Sequence, residues 1–395
     1  MLASLMLLAT PASARPWQVH TIRTSNPAYS RGVDVLPNGR TAVLVERAIG
    51  RARHLELRSG GRTRLLDSAA RGFTSADLQH DSGGRLVVIW TRFTGQLFAW
   101  TAAAGREQIA TAGADPSLTV APGGRAAIAY AQGGAFVVRG SLRSGFGKSE
   151  SVGASTATAV PAVGVNASGR IVIAWVQSDG LIALRSAAGR ARFGPAQLVP
   201  LRERDAGTVV LGQLPKVAIT GDGRAIIVVY SVLGRGPTVV DARVEAFDWA
   251  ARAARPSAAA TLSRGAAAGD ADVVATGASA VIAWTQRAPG APRALWATRW
   301  TAKGPQRPNV YDTRALGSAT LLAPASKGGA NVFYRASGER WFTVHLSAAG
   351  LYSGTSVVTP SGEQVGTIDV AAAGRRLAAS WTAGPPARVE VARPG

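Results

Sequence analysis

Gly169-Arg170-Ile171-Val172-Ile173-Ala174-Trp175-Val176-Gln177 is a turn glycine and an arginine, then a β-branched run, an aromatic residue and a polar stop. Such a run, entered from a tight turn, reads as one short strand. The phrase recurs along the chain. Asn38-Gly39-Arg40 leads to Val45, Gly83-Gly84-Arg85 to Trp90, Gly123-Gly124-Arg125 to Tyr130, and Asp222-Gly223-Arg224 to Tyr230. Gly277-Ala278-Ser279 leads to Trp284, Lys327-Gly328-Gly329 to Tyr334, and Gly374-Arg375-Arg376 to Trp381. The eight anchors, from Val45 through Trp175 to Trp381, lie 45, 40, 45, 55, 54, 50 and 47 residues apart. A period of this size marks one supersecondary unit repeated and stacked, rather than a single wound sheet.

Each unit divides into four short strands. The second reads as Ala76–His80, Leu86–Trp90, Gln96–Thr101 and Glu107–Ala110; the fourth as Pro161–Val165, Ile171–Trp175, Leu181–Arg185 and Ala196–Val199. Gly, Asn, Asp and Ser between them supply hairpin turns. No uninterrupted helical period separates the strands, which excludes βαβ units. The one helix-tolerant stretch, Ala246 to Ala260, reads as a strand end and a loop. The last unit has Thr367–Ala371, Leu377–Trp381 and Arg388–Ala392, and then the chain stops one strand short. Near the other end, Trp17-Gln18-Val19-His20-Thr21-Ile22 alternates like a strand but belongs to no complete unit. If it supplies the missing strand, a ring is latched by both termini and no blade edge is left open. The expected fold is therefore all-β: a single β-propeller of four-stranded blades. Eight blades are favoured, with seven as the alternative because units six and seven match the phrase poorly.

Composition sets further bounds. The 395 residues carry no Pro/Gly/Ser linker, and 47% apolar with 17% charged residues is globular composition. With no cysteine, disulfides, thiolate zinc sites and cysteine nucleophiles are excluded. The formal charge is +21, and Lys148, Lys216, Lys303 and Lys327 are the only lysines among 44 basic residues. Such an arginine skew, with so much Ala and Gly, fits a high-GC bacterial coding bias as well as an anion-binding surface. Met1 to Ala14 is a short apolar run ending in Ala-Ser-Ala, which reads as a secretory signal cleaved after Ala14, although no Lys or Arg precedes the run. The run is too short to span a bilayer, and no later segment is long and apolar enough to do so. The expectation is a signal peptide over residues 1–14 and a propeller over 15–395, outside the cytoplasm.

The blade rhythm and the Gly-Arg-aliphatic-Trp phrase resemble the large group of secreted propellers with sialidase-like and NHL-like blade repeats. The likeness covers nearly the whole mature chain, but its features belong to a fold that hosts many functions. The aspartate box of sialidases, Ser-x-Asp-x-Gly-x-x-Trp, is missing, as are the Gly-His and Trp-Asp pairs of WD40 blades. No catalytic residue is carried over.

In such a ring, the loops after the second strands share one face with the connections between blades. The polar residues that follow the anchors are thus the binding candidates: Arg47, Arg92, Gln132, Gln177, Gln286 and Arg335, with Glu46, Thr91 and Arg287 beside them. Glutamine and arginine can hydrogen-bond sugar hydroxyls or pair with carboxylates and phosphates. Polar residues also end strands at any solvated rim. Glycan hydrolysis needs two carboxylates at a defined separation. Asp34, Asp77, Asp115, Asp272 and Asp369 fall at or just before first strands, which line the channel, and are the candidates for it. His20, His54, His80 and His345 lie on separate units without metal-type spacing, so no metal is expected. Neither a nucleophile elbow nor a phosphate- or dinucleotide-binding loop is present, and no cofactor is implied. Asn166-Ala167-Ser168 is formally a glycosylation sequon but reads as turn chemistry. The basic residues are spread over all units, which argues against dedicated nucleic-acid binding. Two functions follow. The first is a monomeric, non-catalytic binding propeller for envelope glycans, anionic polymers or a protein partner. The second is a glycoside-active enzyme, hydrolase or lyase, on the same scaffold.

Overall fold

The computed structural model describes residues 17–394 apart from 155–159, 178–181, 190, 201–208, 236–237, 264–266, 288–289, 314, 337–339, 351, 362, 364 and 366. Residues 1–16, and with them the expected signal peptide, lie outside the described residues. The strands group into eight antiparallel sheets, each an up-and-down meander, set around an axis as an eight-bladed β-propeller. Blade 1 runs through Ala28–Val35, Thr41–Ile49, Ala52–Ser59 and Arg62–Ala69. Blade 2 runs through Phe73–His80, Leu86–Arg92, Leu97–Thr101 and Gly105–Ala110. The helix-tolerant stretch is the end of strand Thr238–Trp249, a loop, and the two-residue strand Ala260–Thr261. Blade 6 adds a short piece, Asn309–Asp312, paired with its third strand Arg293–Thr301.

The ring closes as the chain ends foretold. Trp17–Ile22 pairs antiparallel with Arg388–Pro394, in register from Trp17 opposite Pro394 to Ile22 opposite Val389. It becomes the outermost strand of blade 8, outside Arg376–Ala383 and Asp369–Ala373. Trp17 meets the edge of Phe333 in blade 7 with ring centroids 6.0 Å apart. Ile22 packs on the other side against the blade 8–blade 1 core of Val33, Val43, Val45 and Val389. The Thr21 hydroxyl donates to Glu390, 2.9 Å away.

The core is not one mass but a series of layers, each shared by two neighbouring blades, as a radial repeat requires. Between blades 2 and 3, for example, Val87, Ile89 and Ala99 pack against Leu118, Ala126, Ile128 and Tyr130. The anchors sit within these layers: Val45, Trp90, Tyr130, Trp175, Trp284, Tyr334 and Trp381 are all buried, and the aromatic ones are among the largest buried side chains. Many of their neighbours are alanines, which lets successive blades approach closely around large rings.

The repeated Gly-Arg pair has a reason that only the ring reveals. Arg376 of blade 8 donates to Pro37 O in the first turn of blade 1, at 2.8 Å, and Arg125 of blade 3 donates to Ser168 O of blade 4, at 3.2 Å. Arg170 of blade 4 reaches Gly223 O and, at 2.9 Å, Trp249 O of blade 5. The guanidinium lies where the turn glycine's Cβ would be: a Cβ on Gly39 would stand 2.6 Å from Arg376. Gly39 and Gly169 also have φ of 83° and 86°, a conformation glycine adopts without strain. Arginine of one blade and glycine of the next form one staple. Third-strand arginines do the same: Arg139 reaches Gly189 O and Ala191 O, and Arg299 reaches Gly328 O and Ser347 O. Part of the arginine excess therefore joins blades.

Candidate functional site

The rim candidates stand at the ends of second strands, on the face that carries the blade-to-blade connections. Most of their polar groups have partners inside the protein. Arg92 donates from Nε and Nη2 to the two Asp67 oxygens of blade 1, at 2.9 and 2.6 Å, and lies over Phe98. Asp67 also accepts from Trp90 Nε1 at 2.8 Å and from Arg106 at 2.9 Å. Burial pushes this carboxyl up, but the bonds from Arg92, Trp90 and the Ser68 amide, with the charge of Arg92, outweigh burial and hold it below its ordinary value. Arg92 is raised in return. Arg47 pairs with buried Glu56 at 2.6 Å, and Arg58 shares that carboxylate. There too burial is outweighed, by the bonds and charges of Arg58 and Arg47, and Glu56 is lowered. Gln286 is buried and accepts from Trp284 Nε1 at 2.9 Å. Arg335 is half-buried and interacts within the fold, and Gln177 is half-buried beyond strand Arg170–Val176. Gln132 is exposed in the hairpin before Gly134–Ser141.

Asp67 represents a device the sequence did not show. An acid at the outer end of one blade, or in the connection leaving it, holds the polar edge of the next blade's anchor. Asp312 does this for the Tyr334 hydroxyl, and Glu363 for Trp381 Nε1, at 3.2 Å, while also pairing with Arg388. A local pattern cannot reveal it, because the partners lie 18 to 23 residues apart with different spacings.

The first strands do bring carboxylates into the channel. Asp34, Asp77, Asp272 and Asp369 line a central cavity of about 600 Å³, with Lys216 on the same wall. Asp115 does not join them: it is exposed at the start of strand Ala114–Val120, in a left-handed conformation (φ 48°) where the strand's pairing is interrupted by a bulge between Ala114 and Ser117. Asp77, Asp272 and Asp369 occupy one level of the channel, each opposite the residue before its blade's anchor. They tie neighbouring walls together. Asp272 accepts from the Leu322 amide of blade 7 at 2.8 Å, and Asp369 from the Ser30 hydroxyl of blade 1 at 3.1 Å. Asp34 meets His80 Nδ1 at 2.7 Å. Desolvation by the enclosing walls raises Asp77 to about 6, helped by the charges of Asp369 and Asp34. Desolvation raises Asp369 to about 6 as well, against Ser30 and Arg31, and raises Asp272 against Lys216. No cluster of metal-ligating side chains occurs among the described residues.

The opposite face, made of the turns inside each blade, carries open grooves. One lies on the closing seam, with a volume of about 720 Å³, between the blade 1 turns and the outer strands of blade 8. Arg40, Arg62 and Arg393 stand exposed in it, and their guanidinium groups make no hydrogen bond or ion pair with described residues. The second, about 1040 Å³, lies between blades 3 and 4 and holds exposed Arg143 and Lys148, with Glu150 in its wall.

No family model matches the chain, and no curated protein matches it in sequence. In structure it is similar to the Dos1 propeller, at 10% identity and a TM-score of 0.57 over 97% of this chain and 96% of that one. A lectin from Aleuria aurantia, a six-bladed β-propeller with a novel fucose recognition mode, is 14% identical and reaches a TM-score of 0.40 over 73% of this chain and 96% of its own. A protein of unknown function from Dyadobacter fermentans is 10% identical, with a TM-score of 0.42 over 95% and 97%. At such identities the likeness is one of architecture, and what it establishes is the fold: a β-propeller built from repeated blades.

Proposed function

We propose that the protein is an exported, non-catalytic binding propeller that holds an anionic glycan or other anionic polymer on its turn face. The distribution of unpaired basic side chains carries this reading. Arg47 and Arg92 on the connection face are engaged by buried Glu56 and Asp67, whereas Arg40, Arg62, Arg143, Lys148 and Arg393 stand free in open grooves on the other face. Guanidinium groups held beside an aliphatic surface recognise carboxylate, sulfate and phosphate groups with directed hydrogen bonds as well as charge. Export follows from the reading of residues 1–14. Among the described residues no helix is long and apolar enough to cross a membrane.

The test is an array of acidic and neutral glycans and polyanions, run at about 0.05 M and about 0.5 M salt, where screening separates specific from diffuse attraction. Retention of an acidic ligand at high salt supports the reading, and its absence across the array sinks it.

A second reading, a glycoside-active enzyme, is favoured by one observation: Asp77 and Asp369 share a level of the channel and both are raised to about 6, where a carboxyl can donate a proton. Turnover of a bound glycan that Asp77→Asn abolishes would support it; intact glycan after long incubation would exclude it for that substrate.

A further inference from the structure

We infer that the seam groove is a docking site for one strand of an acidic polysaccharide, and that its occupant locks the ring's closure. The inference rests on the binding reading above and gives it a site and a ligand class.

Arg40 stands outside the staple pattern, which crosses the seam intact through Arg376 and elsewhere gives way where Arg85 and Arg224 are held by Asp81 and Asp248 of their own blades. Arg125, Arg170 and Arg376 each reach forward to the turn of the following blade. Arg40, at the equivalent position of blade 1, does not; its guanidinium lies over Gly60 in its own blade's last turn, inside the groove. Arg62 stands with it on the blade 1 wall, and Arg393 stands on the blade 8 wall. Among the described residues, no aspartate or glutamate lines the groove. Three free guanidinium groups on two walls exceed what one point anion can neutralise, whereas a chain with a charge on successive units can meet both walls. The floor is aliphatic, formed by Ile22, Val43 and Val391. It suits the C–H faces of sugar rings and offers nothing to a bare inorganic chain.

The walls also belong to different ends of the sequence. Ile22 lies on the latch strand, Val391 and Arg393 on the last strand, and Arg40 and Arg62 on blade 1. An occupant touching both walls must favour the latched ring over any form in which Trp17–Ile22 has peeled away, because a ligand stabilises the state that binds it.

Binding of polygalacturonate, inorganic polyphosphate and neutral dextran to the full chain at about 0.3 M salt, with hydrogen exchange on residues 17–22, tests this. Polygalacturonate should bind more tightly than polyphosphate, and dextran should not bind. Arg40→Ala and Arg393→Ala should each weaken polygalacturonate about tenfold while melting like the parent, and Arg143→Ala should leave it unchanged. At a ligand concentration ten times Kd, exchange of the 17–22 amides should slow about tenfold. Polyphosphate binding as tightly as polygalacturonate overturns the ligand class. Sensitivity to Arg143→Ala rather than Arg40→Ala, or exchange at 17–22 unmoved by saturating ligand, overturns the site and its coupling, while the binding reading stands. Failure of every polyanion to bind brings down both.

Discussion

Asp67 is the residue on which most depends in blades 1 and 2, because three donor side chains converge on one buried carboxylate. Removing one partner from such a cluster leaves the others desolvated and unpaired. Asp67→Ala should therefore destabilise the protein by about 3 kcal/mol in urea unfolding. Trp90→Phe, which removes a single neutral donor and some ring area, should lose less; equal losses would show the acid to be an ordinary surface partner. The channel acids act in the other direction. A group raised from 3.8 to about 6 in the folded chain contributes stability that is complete below about pH 4 and lost as pH climbs through 6. Asp77 and Asp369 thus tax the fold at neutral pH, by up to about 2–3 kcal/mol each before relaxation. Asp77→Asn keeps an oxygen for the Leu78 amide and should raise the melting temperature at pH 7 but not at pH 4. Parallel melting curves for variant and parent across that range would rule this out.

At the scale of elements, the latch and the staples make separate claims. Trp17, Val19 and Ile22 pack against blades 7, 8 and 1, and their partial burial is worth roughly 4 kcal/mol together. Deleting residues 17–22 should lower the melting temperature by about 5 °C and leave blade 8 with an unpaired third strand. A transition at the parent temperature would mean that the ring is closed by side-chain packing alone. The staple predicts an asymmetry between its halves. Arg376→Ala removes a largely solvated bond and should cost about 1 kcal/mol or less. Gly39→Ala must strain a left-handed turn and displace that same arginine, and should cost about 1–3 kcal/mol. Comparable losses from the two would refute the view that the glycine is there to admit its neighbour's guanidinium.

For the whole molecule, the arginines fall into two groups. Arg47 and Arg92 on the connection face are held in internal ion pairs, and Arg40, Arg62, Arg143 and Arg393 on the turn face are free beside grooves, so salt should act unequally on stability and on binding. Raising salt from about 0.05 M to about 0.5 M should shift the melting temperature little, since the pairs at Asp67 and Glu56 are buried, while weakening polyanion binding at least about tenfold. A melting temperature that fell in step with affinity would place the free charges in the fold's own support. The repeated phrase, the anchors and the lone strand at Trp17 were enough to read the blades, their number and the closure. Strand boundaries in blades 2 and 4 differ from that reading by three residues at most. The candidate sites were legible only in part: four of the five aspartates reach the channel, and the seam groove has no signature in the sequence at all.

What the sequence by itself determined is everything governed by short-range alternation: strands of five or so residues, the turns between them, and a lone strand at Trp17–Ile22 to complete a last blade read one strand short. Which arginines bind a neighbour and which stay free was decided by the tertiary structure. Arg40 and Arg125 follow the same glycine in the same phrase, yet Arg125 caps the next blade and the Arg40 guanidinium stays over its own blade's last turn. The difference lies in which carbonyls and carboxylates the closed ring brings within about 3 Å of each guanidinium, often from 40 to more than 300 residues away, and no local pattern encodes that distance.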